Sequence, residues 1–195
     1  MSLKPIQFTD KTVYQNNEQQ CDLALGGFIR CWGHVEMAVF ELFHKLSGTD
    51  IVTANIIFAA GIDQKTMREI CKALGKERLK DDDFRYLDKL LERMKTAATT
   101  RNRLIHGVWQ HHLIVDNKTN TVTRAEWIRF YEPTDPETVP QIQRKRPNQK
   151  LLAAHVFKLD RILALAKEAA ELGQHLLAFV TRVSLQPVRV PQPVF

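Results

Sequence analysis

Arg101, Asn102 and His106 lie within six positions of one another and combine three kinds of chemistry. A guanidinium grips an anion through two parallel hydrogen bonds. A histidine can give or take a proton near neutral pH. An asparagine side chain both donates and accepts, and so can orient either of the others. The setting of the group is unusual. Apolar residues recur before it at Phe84, Leu87, Leu91, Met94 and Ala98 and within it at Ile105, the three–four spacing of a helix face turned toward a core. Continued from Ala98, that face reaches Arg101, where packing alone would favour leucine. A permanent cation on such a seam is costly unless something pairs with it. Glu36 lies on the apolar face of an earlier helix between Trp32 and Val39 and reads first as a glutamate at the edge of its stripe, reaching for water. The sharper alternative is a buried carboxylate paired with Arg101.

The elements that must hold this group are mostly helical. Residues 1–16 are polar and without a period, and are expected to form an extended arm. From Glu18 a helix face emerges through Leu25, Phe28, Ile29, Trp32, Val39, Phe43 and Leu46. Gly26 and Gly27 weaken its first turns, so its firm part is expected from Phe28, and Gly48 is its stop. Asp50 caps a short helix over Ile51–Ala60 that ends at Gly61. Asp63 opens another through Met67, Ile70 and Leu74 that stops near Gly75. Asp81-Asp82-Asp83 introduce the central helix. Three carboxylates in a row invite a metal reading, but neighbours on a helix point in different directions, and at a helix N-terminus carboxylates face the positive end of the dipole. Capping is the favoured reading.

After Gly107 the period changes. Leu113–Val115, Thr121–Thr123 and Trp127–Tyr131, with the polar Asn117-Lys118-Thr119-Asn120 between, read as a β-hairpin. Four prolines between Glu132 and Lys150 rule out a helix there. That loop carries Arg144-Lys145-Arg146, which reads as a solvated loop or, alternatively, as a basic cluster that contacts phosphates. A last long helix is expected over Leu151–Val183, with Leu152, Val156, Leu159, Ile162, Leu163, Ala166, Leu176, Leu177 and Val180 on its face. Residues 184–195, with three prolines, follow as an extended tail. The fold class is mainly α: a helical bundle of about five helices over residues 17–183, a single domain with residues 111–150 inserted as hairpin and loop before the last helix.

An arginine followed directly by asparagine, with a histidine one turn on, at the end of a long helix in a small bundle, resembles the HEPN superfamily. The motif here is Arg101-Asn102-x-x-x-His106, followed by Gly107 and Trp109, and the architectural match covers residues 17–183. The resemblance implies metal-independent RNA cleavage by a homodimer whose two motif copies meet in one cleft, without a cofactor. It implies His106 as acid/base, Arg101 as phosphate clamp, Asn102 as support and Glu36 as a partner behind them. Arg103, on another face, is a further candidate for substrate contact, as are Arg144, Lys145 and Arg146. Members act in toxin–antitoxin and antiphage systems, which would bring an antitoxin or other protein partner. Others are non-catalytic modules that dimerise or bind RNA or protein, and that alternative stands beside the ribonuclease reading.

Composition agrees with a globular chain: 44% of 195 residues are hydrophobic, enough for a core. No apolar run reaches the length of a membrane span, and the N-terminus has no signal-peptide core, so the cytoplasm is the expected location. Cys21, Cys31 and Cys71 form no CxxC pair, His34 and His44 make no metal-ligand pattern, and His111-His112 read as the start of a strand or, alternatively, an extension of a basic rim. The net charge of +6 is compatible with a polyanionic partner without requiring one.

Overall fold

The structure, a computed structural model, describes residues 7–8, 11–60, 63–116, 121–130 and 156–186. In chain order these form β1 (Gln7–Phe8), α1 (Lys11–Ser47), α2 (Ile51–Ala59), α3 (Gln64–Arg78), α4 (Asp81–His106), β2 (Val108–Asp116), β3 (Thr121–Phe130), β4 (Val156–Phe157) and α5 (Leu159–Arg182). The architecture is mainly helical, with a small sheet before the last helix, as expected of a helical bundle carrying a hairpin insert. No helix among the described residues is long and apolar enough to cross a membrane. The chain divides into two compact units, one of residues 1–29 and 98–166, the other of residues 30–97 and 167–195.

The first unit contains the sheet and the motif. β3 is its central strand. β2 runs antiparallel along one edge of β3, from Val108 opposite Phe130 to Asp116 opposite Thr121, with a register shift at Ile114/Val115. β3 also pairs with β1, which lies parallel with Gln7 opposite Thr121, and with β4, which lies antiparallel with Phe157 opposite Arg129. The hairpin strands are longer than the apolar alternation predicts, and β2 begins directly after Gly107. The unit's buried residues include Cys21, Ala24 and Phe28 of α1, Leu104 of α4, Phe157 of β4, and Ile162 and Leu165 of α5.

In the second unit the two short helices are capped as their sequences predict. The Asp50 carboxylate accepts from the Val52 and Thr53 N–H groups, and that of Asp63 from Lys65 and Thr66. The bonds to Thr53 and Thr66 hold both carboxyls below the ordinary aspartate value of 3.8. A carboxyl depressed in the folded state stabilises above its unfolded value, and that stabilisation is lost as pH falls through the folded value. Asp50→Ala and Asp63→Ala are therefore expected to lower the unfolding midpoint at pH 7, with a smaller deficit at pH 3. Urea titrations at the two pH values measure this, and an equal deficit at both would contradict the charge argument. Asp81, Asp82 and Asp83 occupy the first turn of α4, where Arg85 pairs with Asp82. Lys72 and Asp88, 2.6 Å apart, join α3 to α4, and Tyr86 packs on Phe179 with Arg182 over its ring.

Several helix ends differ from expectation. α1 starts at Lys11, inside the stretch expected to be an extended arm. Apolar periodicity marks only a buried face, and this first turn and a half is mostly polar. α3 runs through Gly75 to Arg78. Gly75 is a contact position, because a Cβ there would lie 2.7 Å from Leu87 Cδ2. α5 begins at Leu159; Val156 and Phe157 leave the helical register to pair with β3. The turn residues 117–120, the proline-rich loop, Gly61, and Leu152 and the tail from Pro187 lie outside the described residues.

Gly26 and Gly27 lie well inside α1, and a Cβ at either meets nothing within 4 Å. Gly26→Ala and Gly27→Ala should each raise stability by about 0.5–1 kcal/mol through backbone entropy and helix propensity. Thermal unfolding monitored by circular dichroism would register the gain, and a lower midpoint would mean that these positions are needed without a side chain.

Candidate functional site

The site is built on the last two turns of α4, within the first unit. The buried stripe of the helix runs through Leu87, Leu90, Leu91, Met94 and Leu104. Phe84, Ala98 and Ile105, expected on that face, are half-buried, while Leu90 and Leu104 complete it. Arg101 lies on the line between Met94 and Leu104 and is half-buried. Its Nη1 donates to Asn102 Oδ1 at 3.1 Å, so the guanidinium reaches from the inner stripe toward the neighbouring exposed face.

Asn102 and His106 are both exposed. Four residues apart, they lie within about 40° of one another around the helix and about 6 Å apart along it. Arg101 and His106, five apart, differ by about 140°. The bond to Asn102 is thus what brings the cation toward the histidine's face. His106 has no hydrogen-bond or ion-pair partner among the described residues, Arg101 included. Arg103 is half-buried on a third face.

The half-buried carboxylate of Glu36 accepts from Trp32 Nε1 at 2.9 Å and Gln64 Nε2 at 2.6 Å. It therefore joins α1 to α3 in the second unit through neutral donors. Arg101 has its own bond in the first unit. Arg144, Lys145 and Arg146 lie outside the described residues.

One residue that the motif does not include is central to its geometry. Arg129 lies on β3 opposite Trp109, with its guanidinium carbon 5.2 Å from the Trp109 ring centre. Its Nε donates to the Leu104 carbonyl and its Nη2 to the Ile105 carbonyl, the latter at 2.6 Å. Burial holds its pKa below the ordinary arginine value, opposed by the Asp22 carboxylate on α1. The only hint in the sequence is an arginine between Ile128 and Phe130. Arg68, 7% exposed on α3, is a buried cation that periodicity does not single out; its Nη2 is 3.4 Å from Glu69.

Buried thiols are chemically quiet here. Cys71 is fully buried, its thiol pushed up to about 12 by burial, and burial raises that of Cys21 as well. Among the described residues no group of three or more His, Cys, Asp or Glu is placed to hold a metal ion. Comparison of the chain with protein-family models, with curated proteins and with solved structures gives no match.

Proposed function

We propose that the chain is a metal-independent endoribonuclease of HEPN type that acts as a homodimer. The observation that carries this reading is the end of α4, where His106 and Asn102 share an exposed face and Asn102 turns the Arg101 guanidinium toward it. In the reaction, one imidazole removes the proton from a ribose 2′-hydroxyl. The oxygen attacks the adjacent phosphorus, and the bond to the 5′-oxygen breaks as a second imidazole protonates that oxygen. The product is a 2′,3′-cyclic phosphate and a free 5′-hydroxyl. Arg101 clamps the non-bridging oxygens as charge develops on them. One helix end supplies a single histidine, and its arginine approaches from another side, so two copies of the helix end facing one groove complete acid, base and clamp. Arg103, Arg144, Lys145 and Arg146 would hold the RNA backbone on either side.

The test is incubation of mixed single-stranded RNA with the protein in EDTA. Fragments ending in 2′,3′-cyclic phosphate are the expected result, and intact RNA at all enzyme concentrations would sink the reading. One observation favours a second reading, a dimerising or binding module without catalysis. In α2, Ile51, Val52 and Ile56 are 47%, 64% and 66% exposed, as suits contact with protein. That module would retain RNA in a salt-sensitive manner, dependent on Arg144 and Arg146, and leave it uncut.

A further inference from the structure

The last four carbonyls of a helix have no donors within it. α1 closes its end locally: Gly48 takes a φ of +69°, and its N–H returns to the His44 carbonyl at 3.1 Å. At the end of α4 no glycine with a positive φ stands among the described residues. Gly107 does not adopt a positive φ, and β2 starts at Val108. Basic side chains commonly serve such carbonyls instead, and the nearest one in sequence is His106 itself. Yet Arg129 takes two of them, those of Leu104 and Ile105, and His106 remains exposed.

We propose that Arg129 is the positioning residue of this site. By occupying the Leu104 and Ile105 carbonyls it keeps the His106 imidazole from capping its own helix and leaves it on the face shared with Asn102. Its effect on catalysis rests on the ribonuclease reading; its effect on the placement of His106 does not. The geometry is specific to arginine. Nε and Nη2 address two successive carbonyls at once, while the plane of the group packs on Trp109. Arg101 and Arg103 on α4 and Arg129 on β3 are charged groups at this helix end, and the Asp22 carboxylate on α1 acts on Arg129. A histidine released to the bare carbonyls would therefore be drawn to the negative end of the helix dipole.

The test reads His106 directly. Wild type, Arg129→Leu and Arg129→Lys are treated with diethyl pyrocarbonate at pH 7.5, and modification of each histidine is followed by peptide mass spectrometry. His34, exposed on α1, serves as the internal control. In Arg129→Leu the imidazole engages the freed carbonyls, and its modification slows by about fivefold, the factor of one ordinary hydrogen bond. Arg129→Lys, which can reach one carbonyl but not both, falls between. If Arg129 merely supports the fold, its loss frays the helix end, and modification of His106 stays the same or accelerates; either result overturns the proposal. Should Arg129→Leu fail to fold by circular dichroism, Arg129→Lys carries the test alone, and unchanged or faster modification in it is the overturning result. In the RNA assay kcat of the variants is expected to fall roughly 10- to 100-fold from misplacement of one group, with KM nearly kept. If wild type cuts no RNA, the ribonuclease reading fails while the modification rates still decide what Arg129 does.

Discussion

His106→Ala is expected to lower EDTA-resistant RNA cleavage by roughly 10²–10⁴-fold, the usual contribution of a positioned acid or base. Exposed at the end of α4 and without a partner among the described residues, the imidazole does little for stability. The variant should therefore unfold within about 0.5 kcal/mol of wild type, and sedimentation should find the same association state. Arg101→Ala should cost a comparable factor through lost phosphate stabilisation, and Arg101→Lys should not rescue it, since an ammonium cannot clamp two oxygens side by side. The sharper variant is Arg101→Leu. Its position is half-buried on the line between Met94 and Leu104, where an apolar side chain fits the stripe. Arg101→Leu should abolish cleavage while leaving stability unchanged or raising it by about 1 kcal/mol. Urea unfolding beside the RNA assay separates the cases. Cleavage that survives in Arg101→Leu, or a variant that unfolds, would make the arginine a structural residue.

The helix starts and stops that were legible in the sequence are those decided by local chemistry. Asp50 and Asp63 cap because a short carboxylate reaches backbone N–H groups two and three residues on, and Gly48 ends α1 because it tolerates a positive φ. The apolar stripes were legible for the same reason, and Phe28, Trp32, Val39, Phe43 and Leu46 are all buried. Ile29, on the edge of that stripe, is 52% exposed; a spacing of three and four leaves the centre of a face uncertain by one position. Errors came where a distant segment decides. Val156 continues the helical period of α5 but lies in β4, because strand pairing with β3 outweighs it. Gly75 looks like a stop, yet its missing side chain admits Leu87. Glu36 takes one of its donors from Gln64 on α3, 28 residues away. Arg129 follows the carbonyls it holds by 25 and 24 residues, and it meets them only through the pairing of β2 with β3. No local pattern announces such a contact.

Leu104→Ala should be the most destabilising change within the motif segment, by about 2–5 kcal/mol. Leu104 is fully buried between the half-buried Arg103 and Ile105, and its carbonyl is one of the two that Arg129 holds. Truncation leaves a cavity under the turn from which Asn102 and His106 project. Other residues buried in the first unit include Phe28, Phe157, Ile162 and Leu165, and a close-packed interior relaxes only partly into such a space. Chemical denaturation measures the loss, and Leu104→Met, which nearly keeps the volume, should cost less than about 1.5 kcal/mol. If the two variants are equally stable, the interior here is loosely packed and cannot hold the end of α4 in place. The pair also bears on activity. When both variants are assayed well below their unfolding midpoints, Leu104→Ala should cut RNA more slowly than Leu104→Met, because a helix end that settles into a cavity moves Asn102 and His106 together. A histidine that worked independently of its helix would show no such difference.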